Sequence, residues 1–309
     1  MHIKESKCII VLDIGGTSVK STLIDLVDLD SSIARDYFQQ IPIDSQGSGE
    51  EIIEALVQTV ENLLGTARNL RLKVVGIGIS MPGPFDYKKG ISLMRHKFSA
   101  LYKVNLKQEL IQRLGLKENF PIRFEVDTWA FLIGESWRGS ARGYSYVIGI
   151  TLGAGVGIAF MINNQIVTQG IGVPPNAEIW CLPYKDGIVE DKISRRSILT
   201  RYRELKGECS KDFDVKEIFS QAQYGDEISL QVFKELGLTL GKILRPIVLE
   251  FKAECLVFGG QISKSFPLFV EPLKKELQFI PHLRKITSAD LMDLSAFYGI
   301  AKAVIKAQK

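Results

Sequence analysis

The stretch CIIVLDIGGTSVK, residues 8–20, decides the fold prediction because an apolar segment runs directly into a glycine turn. Residues 8–12 predict a buried strand. After the turn, the segment VKSTLIDL alternates like the second strand of a hairpin. Gly15 and Gly16 are expected to let the backbone turn with positive φ, so that exposed N–H groups face phosphate oxygens.

The same motif supplies further candidates for a phosphate site. Thr17 adds a hydroxyl donor, Asp13 is a candidate for holding a hydrated magnesium ion, and Lys20 closes the motif. A glycine hairpin without any ligand accounts for the motif equally well. The motif is not a Walker A loop, which would continue as G-K-[ST] into a helix.

A second stretch, YVIGITLGAGVGIAFMINNQIV at residues 146–167, repeats the order of apolar strand, glycine turn and apolar strand. Thr151, Gly153 and Gly155 are the candidates in this turn, which is a weak signal by itself. Two lobes built on one plan explain the repeat. Each lobe would then offer a glycine turn to a ligand cleft between them.

The rest of the chain alternates helical and strand patterns, which indicates an α/β protein. In the first half, residues 44–50 read as a surface loop, and the predicted elements are a helix over 50–70, a strand over 74–80, a helix over 106–114, a strand over 122–126 and a helix over 129–137. In the second half, the predicted elements are helices over 194–206, 215–222 and 228–244, a strand over 255–260 and a closing helix over 296–306.

Composition excludes several classes of protein. The 309 residues are 46% hydrophobic and 24% charged, so the chain can bury one large core or two moderate ones and is not a disordered tail. Its 39 basic and 35 acidic residues give a net charge of +4 and form no runs, which favours neither a nucleic-acid nor a membrane partner. The N-terminus lacks the long apolar region of a signal peptide, so we expect a cytoplasmic protein.

Cysteine and histidine usage narrows the chemistry. Cys8, Cys181, Cys209 and Cys255 lie far apart and form no C-x-x-C pair, so neither a disulfide framework nor a four-cysteine zinc site is predicted. With three histidines in the chain, a carboxylate is the better candidate for a general base.

That carboxylate is predicted to be Asp127. In FEVDT, residues 124–128, it directly follows an apolar strand and precedes a helix. A carboxylate at the C-terminal end of a strand faces the crevice where open α/β sheets bind ligands. It could take a proton from a substrate hydroxyl while that oxygen attacks phosphorus. The alternative is a helix N-cap, a position that Asp serves well.

Together these motifs resemble the ROK family of repressors, open reading frames and sugar kinases, from about residue 9 to residue 305. DIGGTSVK resembles the family's first phosphate motif, TLGAGVG its second, VFGGQIS at 257–263 its adenosine-side motif, and GIGISMPGPFD at 76–86 its sugar-side Pro-Gly segment. The resemblance implies a two-lobed actin-like ATPase (ribonuclease H-like) α/β fold with a ligand cleft between the lobes. The lobes would be residues 1–127 and 128–294, with a C-terminal helix at about 295–309 packing back on the first.

The resemblance also implies roles for individual residues. Asp127 would be the catalytic base, with ATP and Mg²⁺ as cofactors. The nucleotide and metal would lie against Asp13, Gly15, Gly16, Thr17, Lys20, Thr151, Gly153, Gly155, Gly259 and Gly260. The sugar would lie against Pro82, Gly83, Val126, Asp127, Glu178, Cys181 and Glu190. A homodimer is usual in the family and is expected here.

The sugar motifs depart from the family pattern. Val126 replaces the Asn before the base, and Trp129 replaces a second Asn of that motif. The family's Glu-x-Gly-His clamp reads EIWC, so Glu178 is kept while Trp180 and Cys181 replace Gly and His. The zinc loop of the family is absent, and residues 175–194 look closer to zinc-free glucokinases that use polyphosphate. Glucose specificity therefore cannot be assumed.

Two interpretations of Trp180 and Cys181 follow: core packing after loss of the clamp, or an altered pocket in which Trp180 offers an aromatic face to a sugar ring.

The favoured function is an ATP- and magnesium-dependent kinase for a hydroxyl of a hexose or amino sugar. The alternative is a sugar-binding or regulatory protein without turnover. A DNA-binding repressor is disfavoured because the first phosphate motif begins at Asp13, with no helix-turn-helix domain before it. Arg95, His96 and Lys97 are expected to be surface residues.

Overall fold

The structure is a computed structural model that describes residues 6–207 and 213–307. The strands are β1 (Lys7–Ile14), β2 (Ser18–Asp25), β3 (Gln39–Pro42), β4 (Lys73–Met81), β5 (Phe85–Asp86), β6 (Ile91–Ser92), β7 (Ile122–Val126), β8 (Tyr146–Leu152), β9 (Val156–Ile162), β10 (Gln165–Val167), β11 (Pro183–Tyr184), β12 (Gly187–Ile188), β13 (Cys255–Gly259) and β14 (Lys285–Ser288). The α-helices are α1 (Ile33–Asp36), α2 (Gly49–Asn69), α3 (Leu106–Arg113), α4 (Asp127–Arg138), α5 (Glu190–Ile193), α6 (Arg195–Lys206), α7 (Val215–Gln223), α8 (Glu227–Phe251), α9 (Phe266–Leu277) and α10 (Ser295–Lys306).

The chain folds as two compact units. Unit 1 comprises residues 1–134 and 293–309, and unit 2 comprises residues 135–292. The first division falls inside α4, after Gly134. The boundary predicted from the sequence, between residues 127 and 128, lies at the start of the same helix.

Unit 1 is built on a five-stranded sheet with the order β3-β2-β1-β4-β7. β1 and β2 form the predicted antiparallel hairpin, and β4 and β7 add as parallel strands. Helix α2 begins at a capping box, in which the Ser48 side chain accepts the Glu51 N–H and Glu51 accepts the Ser48 N–H. Its apolar stripe, which includes Leu56, Val60 and Leu63, is buried in the core of this unit.

Helix α10 belongs to unit 1 although it lies at the end of the chain. It packs on β4 at Gly78, where an added Cβ would lie 2.7 Å from Ile300 Cγ1. It also crosses α4 closely, since a Cβ at Gly299 would lie 1.8 Å from the Ala130 carbonyl oxygen. Glycine is required at both positions by this close packing.

Unit 2 repeats the plan of unit 1, with a sheet of order β10-β9-β8-β13-β14. β8, β9 and β10 are antiparallel neighbours, and β13 and β14 add as parallel strands. The core of this unit includes Phe160, Phe233 and Phe258, which are all fully buried. The repeated strand–turn–strand pattern in the sequence therefore corresponds to two sheets of equivalent topology.

The thiols fit a structural role. Cys8 and Cys255 are buried and free, and burial raises the pKa of each to about 12. Cys181 is free and exposed, and Cys209 lies outside the described residues. In the described part of the chain, every helix is too short or too polar to span a membrane.

Candidate active site

In unit 1, the parallel strands β1, β4 and β7 bring the predicted acidic residues to one edge of the sheet. Asp13 pairs in register with Ser80, and Met81 pairs with Val126, the residue before Asp127. The Ser80 hydroxyl donates a hydrogen bond to Oδ1 of Asp13. The sheet register thus places the two carboxylates at the carboxyl ends of β1 and β7, the strands on either side of β4, where such sheets bind ligands.

Asp13 lies in a charged but poorly solvated setting. Burial raises the pKa of its carboxyl, whereas the Ser80 hydrogen bond and the charge of Lys20 lower it. Lys20 faces Asp13 across the β1–β2 hairpin, and its Nζ lies 2.6 Å from Asp293 Oδ1. Lys20, a predicted phosphate-site residue, is therefore engaged in an ion pair within unit 1.

Asp127 is the first residue of α4. Its Oδ1 accepts the backbone N–H of the next residue, Thr128, at 2.7 Å, whereas an N-cap side chain accepts the N–H of the second or third helical residue. Burial raises the pKa of its carboxyl, and the negative charge of Asp13 raises it further, while the Thr128 hydrogen bond and Lys97 act in the opposite direction. A poorly solvated carboxyl with a raised pKa beside a second acidic residue is typical of a general base.

The first glycine turn differs in one respect from the prediction. Neither Gly15 nor Gly16 has φ in the left-handed region, so the expected positive φ is wrong. The Gly15 N–H donates to the Ser18 carbonyl at 2.9 Å, which closes the turn without positive φ. A Cβ at Gly15 would lie 3.3 Å from that oxygen, and one at Gly16 would meet atoms only at 4.0 Å. Glycine therefore permits tight closure at Gly15 and leaves an open face at Gly16 and the exposed Thr17.

The Pro-Gly segment follows β4 in unit 1, and the sequence did not indicate its partner, Tyr87. The Tyr87 hydroxyl donates to the Met81 carbonyl at 3.0 Å and lies 3.4 Å from a Cβ built on Gly83. Burial raises the Tyr87 pKa, as does the charge of Asp127. The predicted sugar-side residues Pro82 and Gly83 are therefore held beside Tyr87 at the end of β4.

In unit 2, the second glycine turn and the predicted adenosine-side glycines meet at one sheet edge. Thr151 pairs in register with Gly259. Gly260 has φ of 84°, and a Cβ there would lie 2.3 Å from the Leu152 carbonyl oxygen. Glycine is required at residue 260 by both its backbone conformation and this close approach.

Glu190 also lies against the second glycine turn. Its Oε2 accepts the Val156 N–H at 3.0 Å and would lie 2.5 Å from a Cβ on Gly155. The Glu190 N–H in turn donates to the Trp180 carbonyl at 3.0 Å. Glu190, a predicted sugar residue, is therefore hydrogen-bonded both to the second glycine turn and to the EIWC segment.

The EIWC segment is exposed at three of its four residues. Trp180 is 41% exposed and donates through Nε1 to Glu178 Oε2 at 2.9 Å. Glu178 and Cys181 are exposed as well. Glu178 is therefore oriented by the residue that replaces the family glycine.

The residues of unit 1 fit a magnesium ion of the kind that accompanies a nucleotide. Such an ion is bound through one or two carboxylates, water and phosphate oxygens. Asp13 supplies one carboxylate beside the open glycine turn. Among the described residues, no group of three or more His, Cys, Asp or Glu side chains could form a metal cage.

Comparison with known proteins identifies the family. The model of the ROK family matches residues 9–305. The chain belongs to the ROK family. Among curated relatives of this ROK chain, a glucokinase from Thermotoga maritima is 27% identical over 290 residues, covering 87% of the chain and 86% of the relative. An N-acetyl-D-glucosamine kinase from Haemophilus influenzae is 24% identical over 294 residues, with coverage of 89% and 90%. Relatives also include a xylose repressor from Bacillus subtilis, 21% identical over 260 residues, with coverage of 82% and 64%.

A ROK family glucokinase from Streptomyces griseus, solved with glucose and AMPPNP, has the same fold as this ROK chain. The TM-score is 0.76 at 22% identity, and the match covers 97% of this chain and 99% of that one. The predicted α/β fold of the actin-like ATPase class is therefore confirmed.

Sequence reasoning missed three residues beside the predicted site: Ser80, Tyr87 and Lys97. A serine near the end of an otherwise apolar strand was a usable signal for Ser80. Tyr87 and Lys97 lie on loops, and no periodic pattern relates them to Asp127. Lys97 is exposed as predicted, but its side chain also approaches the Gly16 turn.

Proposed function

We propose that this protein is an ATP-dependent kinase that phosphorylates a hydroxyl of a hexose or amino sugar, with Asp127 as the general base. The proposal rests on two carboxyls in unit 1. Burial raises the pKa of Asp127, and the negative charge of Asp13, which lies at the open glycine turn, raises it further. The relatives that phosphorylate sugars support the substrate class.

In this proposal the acceptor hydroxyl donates its proton to Asp127 as its oxygen attacks the terminal phosphorus of the donor. The N–H groups and hydroxyls of Gly15, Gly16 and Thr17 bind phosphate oxygens. Mg²⁺, when bound through Asp13, neutralises negative charge on the phosphates. In unit 2, Thr151, Gly153 and Gly155 are proposed to contact the donor phosphates and Gly259 and Gly260 the nucleoside.

The sugar is proposed to contact Pro82, Gly83 and Val126 in unit 1, and Glu178, Cys181 and Glu190 in unit 2. Val126 and Cys181 lack the hydrogen-bonding groups of the family's Asn and His. A buried hydrogen bond discriminates strongly between substrate hydroxyls, so the preferred sugar is expected to differ from glucose.

A second candidate function is sugar binding or regulation without turnover. The same departures, Val126 and Cys181, favour it, and repressors occur among the relatives. The two candidates differ in one measurable property, which is ADP release that depends on a particular sugar.

The test is ADP production with ATP and Mg²⁺ across a panel of hexoses, amino sugars and N-acetylated sugars, repeated with polyphosphate as donor. On the best sugar, Asp127→Asn is expected to lower kcat by about 100- to 10,000-fold. Glu125→Gln is the matched control. Burial raises the pKa of the Glu125 carboxyl as well, but this carboxyl accepts a hydrogen bond from the backbone N–H of the next residue, Val126. Its kcat is expected to stay close to that of the wild type. Folded wild-type protein that binds nucleotide but turns over no sugar would support the second candidate.

A further inference from the structure

Lys97 is held in place by its neighbours although it is exposed. The next residue, Phe98, is fully buried with φ of 49°, and its N–H donates to the Ser45 carbonyl at 2.9 Å. The preceding His96 carbonyl accepts a hydrogen bond from Gln46 Nε2 at 3.1 Å. The loop that carries Lys97 is therefore fixed on both sides to residues 45 and 46.

This anchoring directs the Lys97 side chain over the first glycine turn. Its Cδ lies 4.0 Å from the position of a Cβ built on Gly16, and Ser45 Oγ lies at the same distance. The charge of Lys97 also favours the ionised form of Asp127 and lowers that residue's pKa. The ammonium group thus lies in the neighbourhood of both the phosphate turn and the proposed base.

Lys97 differs from the nearby cations Lys20 and Arg95 in its contacts with neighbouring side chains. None of the ion pairs found in the described segments involves Lys97, whereas Lys20 is paired with Asp293. Arg95, two residues away, donates to the Tyr102 hydroxyl at 2.6 Å and lies over that ring at 4.5 Å. Lys97 is therefore available to an anionic ligand at Gly16, and Arg95 is committed elsewhere.

We propose that Lys97 is a catalytic cation that contacts the phosphoryl group as it passes from the donor to the acceptor hydroxyl. The inference rests on the proposed kinase function. In the transfer, a bond forms between the acceptor oxygen and the terminal phosphorus, and the bond from that phosphorus to the bridging oxygen of ATP breaks. The acceptor proton goes to Asp127, ADP leaves, and Lys97 keeps its proton throughout. Its charge stabilises the negative charge spread over the transferring oxygens.

The kinetic test compares Lys97→Ala, Lys97→Arg and Arg95→Ala with the wild type on the best sugar. Lys97→Ala is expected to lower kcat by about 100-fold, the effect of removing one preorganised donor from a developing charge. The KM for the sugar should stay close to the wild-type value, and Lys97→Arg should recover at least part of the lost kcat. Arg95→Ala, the matched control, should change neither constant. The Lys97 variants should melt at the wild-type temperature because this side chain is exposed, and Arg95→Ala should melt only slightly lower because it loses the exposed contact with Tyr102. A wild-type kcat for Lys97→Ala would overturn the proposal.

A binding measurement keeps this inference separable from the proposed function. Calorimetry would compare the affinities of AMPPNP and ADP for wild-type and Lys97→Ala protein in the presence of Mg²⁺. Contact with the terminal phosphoryl group predicts about a five-fold or greater loss of AMPPNP affinity and an unchanged ADP affinity. Equal effects on both nucleotides would refute the contact even in a protein without turnover. Failure of the kinase function alone would show as absent turnover with the AMPPNP-specific loss intact.

Discussion

The indole Nε1 of Trp180 lies 2.9 Å from Oε2 of Glu178 and donates a hydrogen bond to it. Trp180 is 41% exposed and Cys181 is exposed too, so the alternative that these two residues pack into the core is wrong. The residue that replaces the family glycine instead orients the one clamp carboxylate that this chain keeps. The altered-pocket interpretation stays a prediction.

Trp180→Phe is expected to raise the KM for the preferred sugar by about 3- to 10-fold, with a smaller effect on kcat. The variant removes a hydrogen bond to a charged group while it keeps an aromatic face, and partial exposure limits the loss. The measurement is steady-state kinetics in sugar and in ATP, whose KM should not change. Tyr224→Phe, at a residue that is 91% exposed, is the matched control. A sugar KM equal to the wild-type value would show that Trp180 does not position Glu178 for the sugar.

Asp127→Asn is expected to stabilise the protein at pH 7 while it lowers turnover. Burial and Asp13 raise the folded-state pKa of Asp127 above the unfolded value, so its ionisation opposes folding at neutral pH. The Asn variant should therefore have a higher unfolding free energy than the wild type. The gain should shrink as the pH falls through the folded-state pKa and vanish below the unfolded value of about 3.9.

Urea unfolding of the wild type and Asp127→Asn at a series of pH values measures this effect. Asp28→Asn, at an exposed residue, should change stability by less than about 0.5 kcal/mol at every pH. A destabilised Asp127→Asn variant at pH 7 would mean that the ionised carboxylate stabilises the folded protein, contrary to the raised pKa.

Gly155→Ala and Gly153→Ala should have different effects, although both residues lie in the second turn. An added Cβ at Gly155 would lie 2.5 Å from Glu190 Oε2, whereas nothing lies within 4 Å of one at Gly153. Gly155→Ala should therefore lower the unfolding free energy by about 1–3 kcal/mol. Gly153→Ala should leave the melting temperature unchanged and raise the KM for ATP, because the methyl group would occupy the proposed phosphate space.

Thermal melts and ATP kinetics on both variants distinguish these effects. In Gly155→Ala, the added replacement Glu190→Ala should recover part of the lost stability, since it removes the clashing carboxylate. Equal melting temperatures for both glycine variants would contradict the packing role of Gly155.

Strong local patterns made much of the fold predictable from the sequence. The hairpin at residues 8–25 and helix α2 were predicted because their apolar periodicity extends over most of each element. Strands β3, β10 and β14, with four, three and four residues, are too short to show a period. Helix α9 was not predicted, and it contains Pro267 and Pro272.

Tertiary packing extended one helix beyond its predicted end at residue 244. Helix α8 continues through Pro246 to Phe251, although proline removes a helical N–H. Burial of Ile247, Val248 and Phe251 accounts for the continuation.

The candidate site was predictable where an acidic residue follows an apolar strand, as Asp13 and Asp127 do. The register between β1 and β4 places Ser80 beside Asp13, and hydrogen bonds between two loops hold Lys97 near the site. Local spacing encodes neither relationship, because the hydrogen bonds that reveal them join residues 67 and 50 positions apart in the sequence.

Glu135→Ala is expected to be the most destabilising of these variants. The Glu135 side chain is fully buried in unit 2. Its Oε2 accepts the Ser140 N–H at 2.8 Å and the Asp290 N–H at 3.1 Å, and its Oε1 accepts the Leu291 N–H at 3.0 Å. Truncation would leave these donors without an acceptor, at a cost of about 1–3 kcal/mol each, so a loss of at least about 3 kcal/mol is expected in urea unfolding.

Two further variants make the role of the Glu135 carboxylate measurable. Glu135→Gln should have a stability between those of the wild type and Glu135→Ala, because the amide keeps one acceptor oxygen but turns an N–H group towards a donor. Glu61→Ala, at an exposed residue, should change the unfolding free energy by less than about 0.5 kcal/mol. A loss below about 1 kcal/mol for Glu135→Ala would show that water replaces the carboxylate at this turn, since an ordered water can satisfy two or three such donors.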